Sequence, residues 1–194
     1  KILKNVLHPG DEWFASGDLL KRDRWGYYYW VDRVGDTFRW KGENVSTEEV
    51  REAFTAAGRV TMATTTGTWG DVNVYGVTVP GHEGRAGMAR IVIGIDMRRN
   101  LRVWDNLYKV LEGQLPRYAV PLFLRVADSG GEKVLLRGED VMTSTLKHKK
   151  NELMKDGFDP RCCGGDVVYF RDDGKKTFVK MTLDDYNDIC SGKI

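Results

Sequence analysis

Few side chains in this sequence indicate chemistry by their type and spacing alone. Ser16-Gly17-Asp18 predicts a carboxylate in a turn, and Arg33 follows fifteen residues after Asp18. A turn aspartate is usually a cap or part of an Asx turn, so the triplet by itself indicates a site only weakly. Lys147 begins a basic run over 147–150, which composition alone would place on a solvated face. None of these groups alone predicts a function, and each must be considered together with the other motifs in the sequence.

The residue types that bind metals form no strong pattern. The three cysteines are Cys162, Cys163 and Cys190, and adjacent cysteines are a poor zinc pattern because zinc ligands are usually separated by a turn. His82-Glu83 is one pair without further ligands, which is also weak. We therefore predict no metal site, and the odd number of cysteines is typical of unpaired thiols in a reducing compartment.

Periodicity predicts the elements that must position the polar groups. Ser46 and Glu49 have the spacing of a capping box, which predicts a helix start, and Gly58 is expected to end that helix. Apolar spacing over 104–111 predicts a second helix that closes near Pro116, and a last short helix is expected over 183–190. Strands are predicted at 27–31, 37–40, 72–79, 88–95, 122–126, 167–170 and 177–179.

These elements predict an α+β fold in three parts. Residues 1–34 are strand-like but too few for a domain, so we expect them to belong to a sheet whose remainder is elsewhere. Residues 35–158 are expected to form a compact α+β unit, and 159–194 a tail with a hairpin and a short helix. The first residues have no signal-peptide layout, and we expect the chain to be a piece of a longer one.

Composition excludes two classes of function. The 194 residues include 30 Lys plus Arg and 28 Asp plus Glu, for a formal net charge of +2. So small a charge argues against a strong polyanion binder, and nucleic acid is not expected as a partner. No stretch approaches the roughly 18 consecutive apolar residues that would span a bilayer.

Several motifs follow one another along the chain. They are Ser16-Gly17-Asp18, Gly26-Tyr27, Asp32-Arg33-Val34-Gly35-Asp36, the run over 41–46, the run over 80–88, Pro121-Leu122-Phe123-Leu124-Arg125, Thr143-Ser144-Thr145-Leu146-Lys147 and Gly157-Phe158-Asp159-Pro160. Their order resembles the C-terminal part of adenylate-forming acyl-CoA synthetases. Within that superfamily, the run over 35–47 is similar to the fatty acid transport protein, or very-long-chain acyl-CoA synthetase, family.

This resemblance covers nearly the whole chain and implies a fold. Residues 35–158 would be the small, mobile C-terminal lid domain of adenylate-forming enzymes, a short sheet with flanking helices. Residues 1–34 would be distal strands of the large AMP-binding domain. The resemblance also implies the reaction: a fatty acid carboxylate attacks the α-phosphate of ATP to give an acyl-adenylate and pyrophosphate, and the thiol of coenzyme A then displaces AMP.

The resemblance assigns nucleotide contacts to three residues. Asp18 would accept hydrogen bonds from the ribose hydroxyls, a role that suits an ionised carboxylate. Arg33 would bind a ribose or phosphate oxygen through its permanently charged, planar guanidinium. Trp30 would line the nucleotide pocket, although a strand aromatic is as readily a core residue.

Catalytic, hinge and coenzyme A roles are also implied. Lys147 matches the catalytic lysine, whose ammonium would stabilise the adenylation transition state by roughly 3–4 kcal/mol. Ser144 replaces the usual glycine of that motif, and Lys133 is a second candidate for the role. Gly35 and Asp36 match the hinge, where glycine accepts large changes of φ and ψ. Four residues would face coenzyme A: Arg39, Gly42, Glu43 and Asn44.

The motifs of the phosphate loop, the fatty-acid tunnel and most of the adenine pocket are missing from this sequence. The resemblance therefore implies that ATP, with Mg²⁺ bound through the large domain, coenzyme A and a fatty acid are ligands of the full-length enzyme, and that this fragment alone is inactive. It implies an intracellular parent on the cytoplasmic face of the endoplasmic reticulum, peroxisome or plasma membrane, with the fragment itself soluble. Acyl chain length and self-association stay open. The alternative function is a non-catalytic interaction or regulatory module that retains the lid fold.

Overall fold

The computed structural model describes residues 2–14, 18–33, 37–64, 69–128 and 150–193. Internal contacts divide the chain into two compact units, Lys1–Thr37 and Phe38–Ile194. None of the helices within the described ranges is both long and apolar enough to cross a membrane.

The first unit consists of two antiparallel hairpins. Strand β1 (Ile2–Lys4) pairs with β2 (Glu12–Phe14), and β3 (Asp18–Arg22) pairs with β4 (Tyr28–Arg33). The loop between β1 and β2 is organised by the carboxylate of Asp11, which accepts the indole N–H of Trp13 at 2.7 Å. It also accepts three backbone N–H groups, those of residues 6, 7 and 8, at 2.8–3.0 Å. These hydrogen bonds, first that of Trp13, lower the pKa of Asp11 to about 2.

The second unit contains a five-stranded sheet with helices on both faces, and a separate two-stranded hairpin. Its elements are β5 (Thr37–Trp40), β6 (Glu43–Ser46), α1 (Thr47–Thr64), β7 (Trp69–Val77), β8 (Ala86–Ile93), α2 (Ile95–Arg99), α3 (Leu101–Gln114), β9 (Phe123–Asp128), α4 (described over 150–156), β10 (Val167–Asp172), β11 (Thr177–Lys180) and α5 (Leu183–Cys190). The strand order is β11-β10-β9-β8-β7. Strands β8 and β9 are parallel, and α2 and α3 connect them; the other pairs are antiparallel.

The core lies on both faces of this sheet. Tyr169 of β10 stands opposite Leu124 of β9, and its ring stacks on Trp104 of α3 at 4.3 Å. Phe123, the neighbour of Leu124, points to the opposite face because side chains alternate along a strand. There its ring stacks on Phe158, which follows α4, at 4.3 Å. Helix α3 and the segment after α4 therefore cover opposite faces.

The predicted α+β class is confirmed, and so are the two long helices, the C-terminal hairpin and the last helix. Ser46 accepts the backbone N–H of Glu49 at 3.3 Å, as the capping-box spacing predicted. The predicted helix end at Gly58 is wrong, since α1 continues to Thr64. A Cβ at Gly58 would lie 2.5 Å from the indole of Trp69, so the glycine permits close packing. The predicted strand over 88–95 ends at Ile93, because Gly94 is the N-cap of α2.

Candidate functional site

The β3–β4 hairpin brings together two of the predicted nucleotide-binding residues. Asp18 is the register partner of Arg33, and Leu20 is the partner of Trp30, with an irregularity between Leu19 and Leu20. Cα atoms of directly opposed residues in an antiparallel pair lie about 4.5–5.5 Å apart. Two residues fifteen positions apart in sequence are therefore neighbours in space. The side chains of Asp18, Trp30 and Arg33 lie outside the described part of the structure, so their contacts stay a prediction.

The four predicted coenzyme A residues lie together on the β5–β6 hairpin. Its turn is Lys41-Gly42, with φ of +50° and +85°, the left-handed pair that a two-residue hairpin turn requires. Arg39 donates from Nε to the carbonyl oxygen of Gly42 at 3.0 Å, which ties the guanidinium to the turn. Arg39, Gly42, Glu43 and Asn44 are all exposed. No described atom lies within 4 Å of a Cβ built at Gly42, so the space beside it is open.

The loop over 80–85 anchors this hairpin. The backbone N–H of Arg85 donates to the carbonyl oxygen of Arg39 at 2.7 Å, and Gly84 forms a bridge with Trp40. Trp40 is buried and its ring centroid is 5.5 Å from that of His82. Gly84 has a φ of +87°, and a Cβ there would lie 2.3 Å from the carbonyl oxygen of Arg39. Only glycine fits this approach of the two backbones.

The side chains of the β5–β6 hairpin are suited to binding a ligand. Arg39 is a permanently charged donor suited to phosphate oxygens, and Lys41 adds a second cation 5.9 Å from the Trp40 ring. Asn44 has both a donor and an acceptor for an amide ligand, and Glu43 has acceptors. These groups and the open space beside Gly42 can bind a ligand that carries both anionic and amide groups.

The remaining predicted residues have no structural description. Lys147, Gly35 and Asp36 lie outside the described residues, as do Lys133 and Ser144. Within the ranges that are described, no group of three or more His, Cys, Asp or Glu side chains could hold a metal ion.

An ionic cluster that the sequence did not predict lies around buried Arg125, on the face of the sheet that carries α4. We call Arg90, Arg125, Asp156 and Asp166 the Arg125 cluster. Arg125 of β9 lies 2.7 Å from Asp166 through Nε and 2.7 Å from Asp156 through Nη1. Its Nη2 donates to the carbonyl oxygen of Cys163 at 3.0 Å, and Arg90 shares Asp166 at 3.0 Å. The two arginines and two aspartates balance in charge.

Burial and hydrogen bonding both shift pKa values around this cluster. It acts to lower the pKa of Arg125, but the hydrogen bonds with Asp156 and Asp166 outweigh it and raise that pKa. Burial raises the pKa of the Cys163 thiol to about 11. It also raises the pKa of Tyr75, whose hydroxyl has no hydrogen-bond partner in the described portion. The available signal was an arginine inside the apolar run over 122–126, although its partners are remote in sequence.

The sequence of this chain is similar to those of several known proteins. The chain is 45% identical over 190 residues to long-chain fatty acid transport protein 2 of Rattus norvegicus, covering 97% of this chain and 27% of that protein. It is 39% identical over 194 residues to long-chain fatty acid transport protein 6 of Mus musculus, covering 100% and 28%. The chain is thus similar over nearly its whole length to long-chain fatty acid transport proteins. It spans about a quarter of the length of these relatives.

A protein with a different name is similar over the same span. Isopenicillin N epimerase component 1 of Hapsidospora chrysogena is 38% identical over 200 residues, covering 100% of this chain and 30% of that protein. Among solved structures, coronafacic acid ligase of Pectobacterium brasiliense is similar with a TM-score of 0.48 and 18% identity, covering 76% of this chain and 25% of that one. No model of a known protein family matches the chain.

Proposed function

We propose that this chain is the C-terminal part of an ATP-dependent ligase that joins a long- or very-long-chain fatty acid to coenzyme A. The similarity at 45% identity supports the class of protein. The observation on which the proposal depends most is the register that sets Asp18 opposite Arg33. An ionised carboxylate suits ribose hydroxyls and a guanidinium suits phosphate, so the pair suits a nucleotide such as ATP.

The proposed nucleotide contacts belong to the β3–β4 hairpin. Asp18 accepts hydrogen bonds from the ribose, Arg33 binds a ribose or phosphate oxygen, and Trp30 lines the pocket. Trp30 and Arg33 are on the same strand, which supports a shared pocket. Mg²⁺ accompanies ATP through residues outside this chain.

The proposed coenzyme A contacts belong to the β5–β6 hairpin. Arg39 binds a phosphate, the backbone at Gly42 lies against the pantetheine arm, and Glu43 and Asn44 flank it. The support is the exposure of all four residues and the open space at the turn. Gly35 and Asp36 form the hinge. Rotation about it between adenylation and thioester formation would move Lys147 away from the reacting groups and bring the β5–β6 hairpin to them.

Lys147 is the proposed catalytic group of the first step. Its ammonium hydrogen-bonds the oxygens on which negative charge develops as the fatty acid carboxylate attacks the α-phosphate. Removal of one such preorganised donor lowers kcat by about 10²–10³-fold. Thioester formation from a ready-made acyl-adenylate does not need this group.

The test uses the full-length parent and separates the two half-reactions. Lys147→Ala is expected to lower kcat for pyrophosphate release with fatty acid and ATP by about 10²–10³-fold, while thioester formation from supplied acyl-adenylate and coenzyme A is retained. Lys133→Ala is the matched control, since it removes a lysine from the same segment, and both half-reactions should persist. Normal adenylation by Lys147→Ala would reject the assignment, and a wild-type parent without either half-reaction would favour a non-catalytic module.

The coenzyme A hairpin is tested separately. Arg39→Ala is expected to raise the KM for coenzyme A by roughly tenfold, because a charged hydrogen bond contributes about 1.5 kcal/mol or more. The control is Arg51→Ala, since Arg51 is a partly exposed arginine that pairs with Glu48 on α1. An equal KM in both variants would remove Arg39 from the proposed site.

A further inference from the structure

The loop over 80–85 adds a second arginine beside the β5–β6 hairpin. The antiparallel bridge between Trp40 and Gly84 makes Arg39 and Arg85 the next opposed pair, and the backbone N–H of Arg85 donates to the carbonyl oxygen of Arg39 at 2.7 Å. Cα atoms of opposed residues in an antiparallel pair lie about 4.5–5.5 Å apart. Two permanently charged side chains therefore begin at neighbouring points of the backbone, although the two residues are remote in sequence.

Three cations of this surface are exposed, those of Arg39, Lys41 and Arg85. The carboxylates of Glu43 and Glu83 lie in the same two segments and are exposed as well. Within the described residues, neither carboxylate forms an ion pair with any of the three cations. Like charges on opposed residues of an antiparallel pair are destabilising, and an anionic ligand bound by both arginines would remove that repulsion.

The backbone that carries Arg85 is held at two points. A Cβ built at Gly76 of β7 would lie 2.8 Å from the Cβ of Arg85 and 2.7 Å from that of buried Phe38, so the start of the Arg85 side chain lies against β7. At the other end of the loop, the ring of His82 is 5.5 Å from that of buried Trp40. A charged group on a backbone that is already fixed loses less freedom when a ligand binds.

We propose that Arg85 is a further binding residue for coenzyme A and that, together with Arg39, it holds phosphate oxygens of this ligand. The inference rests on the proposed function, in which the β5–β6 hairpin binds coenzyme A. The planar fork of a guanidinium suits phosphate oxygens, with which it forms paired, charge-assisted hydrogen bonds. With both arginines on the phosphates, the open space at Gly42 is left for the amide-containing arm that carries the thiol.

The experiment compares two thiol acceptors in thioester formation by the full-length parent from supplied acyl-adenylate. Coenzyme A and pantetheine share the thiol and the amides, but only coenzyme A carries phosphates. Arg85→Gln removes the charge and retains part of the aliphatic stem that lies against β7. We expect it to lower kcat/KM for coenzyme A by about tenfold or more, through KM, and to leave kcat/KM for pantetheine unchanged. Arg85→Lys should recover part of the loss because it restores a cation.

Arg102→Gln is the matched control. Arg102 is an exposed arginine on α3, outside both the hairpin and the loop, so its replacement should change neither value of kcat/KM. A second measurement needs no turnover: one fixed concentration of coenzyme A should raise the melting temperature of Arg102→Gln by more than that of Arg85→Gln. Without ligand, Arg85→Gln should melt no lower than the wild type, since it relieves the repulsion with Arg39.

The outcomes separate this inference from the proposed function. If Arg85→Gln lowers kcat/KM for coenzyme A and pantetheine by the same factor, Arg85 only supports the loop and the phosphate contact is wrong. If Arg85→Gln behaves like Arg102→Gln, the inference is also wrong, while the role of Arg39 stands on its own test. If Arg39→Ala has no effect either, the proposed coenzyme A hairpin is wrong as well. A wild-type parent that uses pantetheine as efficiently as coenzyme A would rule out both phosphate contacts.

Discussion

Replacement of Gly58 by alanine tests the packing of α1 against β7. Gly58 is buried within the 18-residue helix α1, and a Cβ at this position would meet three atoms of the Trp69 indole at 2.5–2.7 Å. Carbon atoms in contact prefer about 3.5–4.0 Å. The ring or the helix must therefore move by roughly 1 Å to accept one methyl group.

The magnitude follows from two opposing contributions. Alanine is favoured over glycine in a helix interior by about 0.8–1.0 kcal/mol, whereas overpacking of a filled core costs about 1–3 kcal/mol. We expect Gly58→Ala to lower the free energy of unfolding by about 1 kcal/mol net. Gly113→Ala is the control, because Gly113 is in helix α3 and has no described atom within 4 Å of a Cβ. That variant should gain up to about 1 kcal/mol.

Urea denaturation followed by far-UV circular dichroism measures both changes. The sign of the difference is decisive: Gly58→Ala should shift the midpoint to lower urea and Gly113→Ala to higher urea. In a Trp69→Ala background the ring is gone, and Gly58→Ala should become stabilising. If Gly58→Ala stabilises the wild-type chain as much as Gly113→Ala does, the close contact between α1 and Trp69 does not exist and the explanation of the glycine is wrong.

Three further predictions concern pKa values and backbone strain. Asp11 has a folded pKa of about 2 against 3.8 for a free side chain. Its contribution to stability is therefore complete above pH 4 and is lost as the pH falls towards 2. Carboxyl NMR should give a titration midpoint near 2 for Asp11, and a midpoint near 3.8 would contradict the prediction. The thiol of Cys163, whose pKa burial raises to about 11, should resist alkylation at pH 8 while exposed Cys162 reacts. Both cysteines lie on one tryptic peptide, so tandem mass spectrometry of that peptide assigns the label, and equal labelling would contradict the burial. Gly84→Ala should weaken binding of coenzyme A and lower stability by more than Gly81→Ala, because both glycines have positive φ but only Gly84 faces a backbone oxygen; equal losses of stability would show that the anchoring contact is unimportant.

Elements with local causes could be predicted from the sequence. Alternation of apolar residues predicted β8 within two residues at each end, and the hydroxyl of Ser46 predicted the start of α1. Apolar spacing predicted α3, whose buried residues include Trp104, Leu107 and Leu111. In each case the determining interactions lie within a few residues of one another, where periodicity and capping rules apply.

Features with remote causes could not be predicted in this way. Gly58 has the appearance of a helix stop, and only the position of Trp69 on the next strand explains why a glycine lies inside the helix. Arg125 finds Asp156 and Asp166 at sequence separations of 31 and 41 residues. Neither aspartate is distinguished in its own neighbourhood from a solvated carboxylate, so tertiary structure alone identifies the cluster.

The same distinction separates the two kinds of residue in the proposed site. The proposed ligand contacts belong to exposed groups on a tight hairpin, such as Arg39 beside Gly42, and a short motif is enough to single them out. Gly84, which anchors this hairpin, acts through a close backbone contact with Arg39, and that contact is visible only in the tertiary structure.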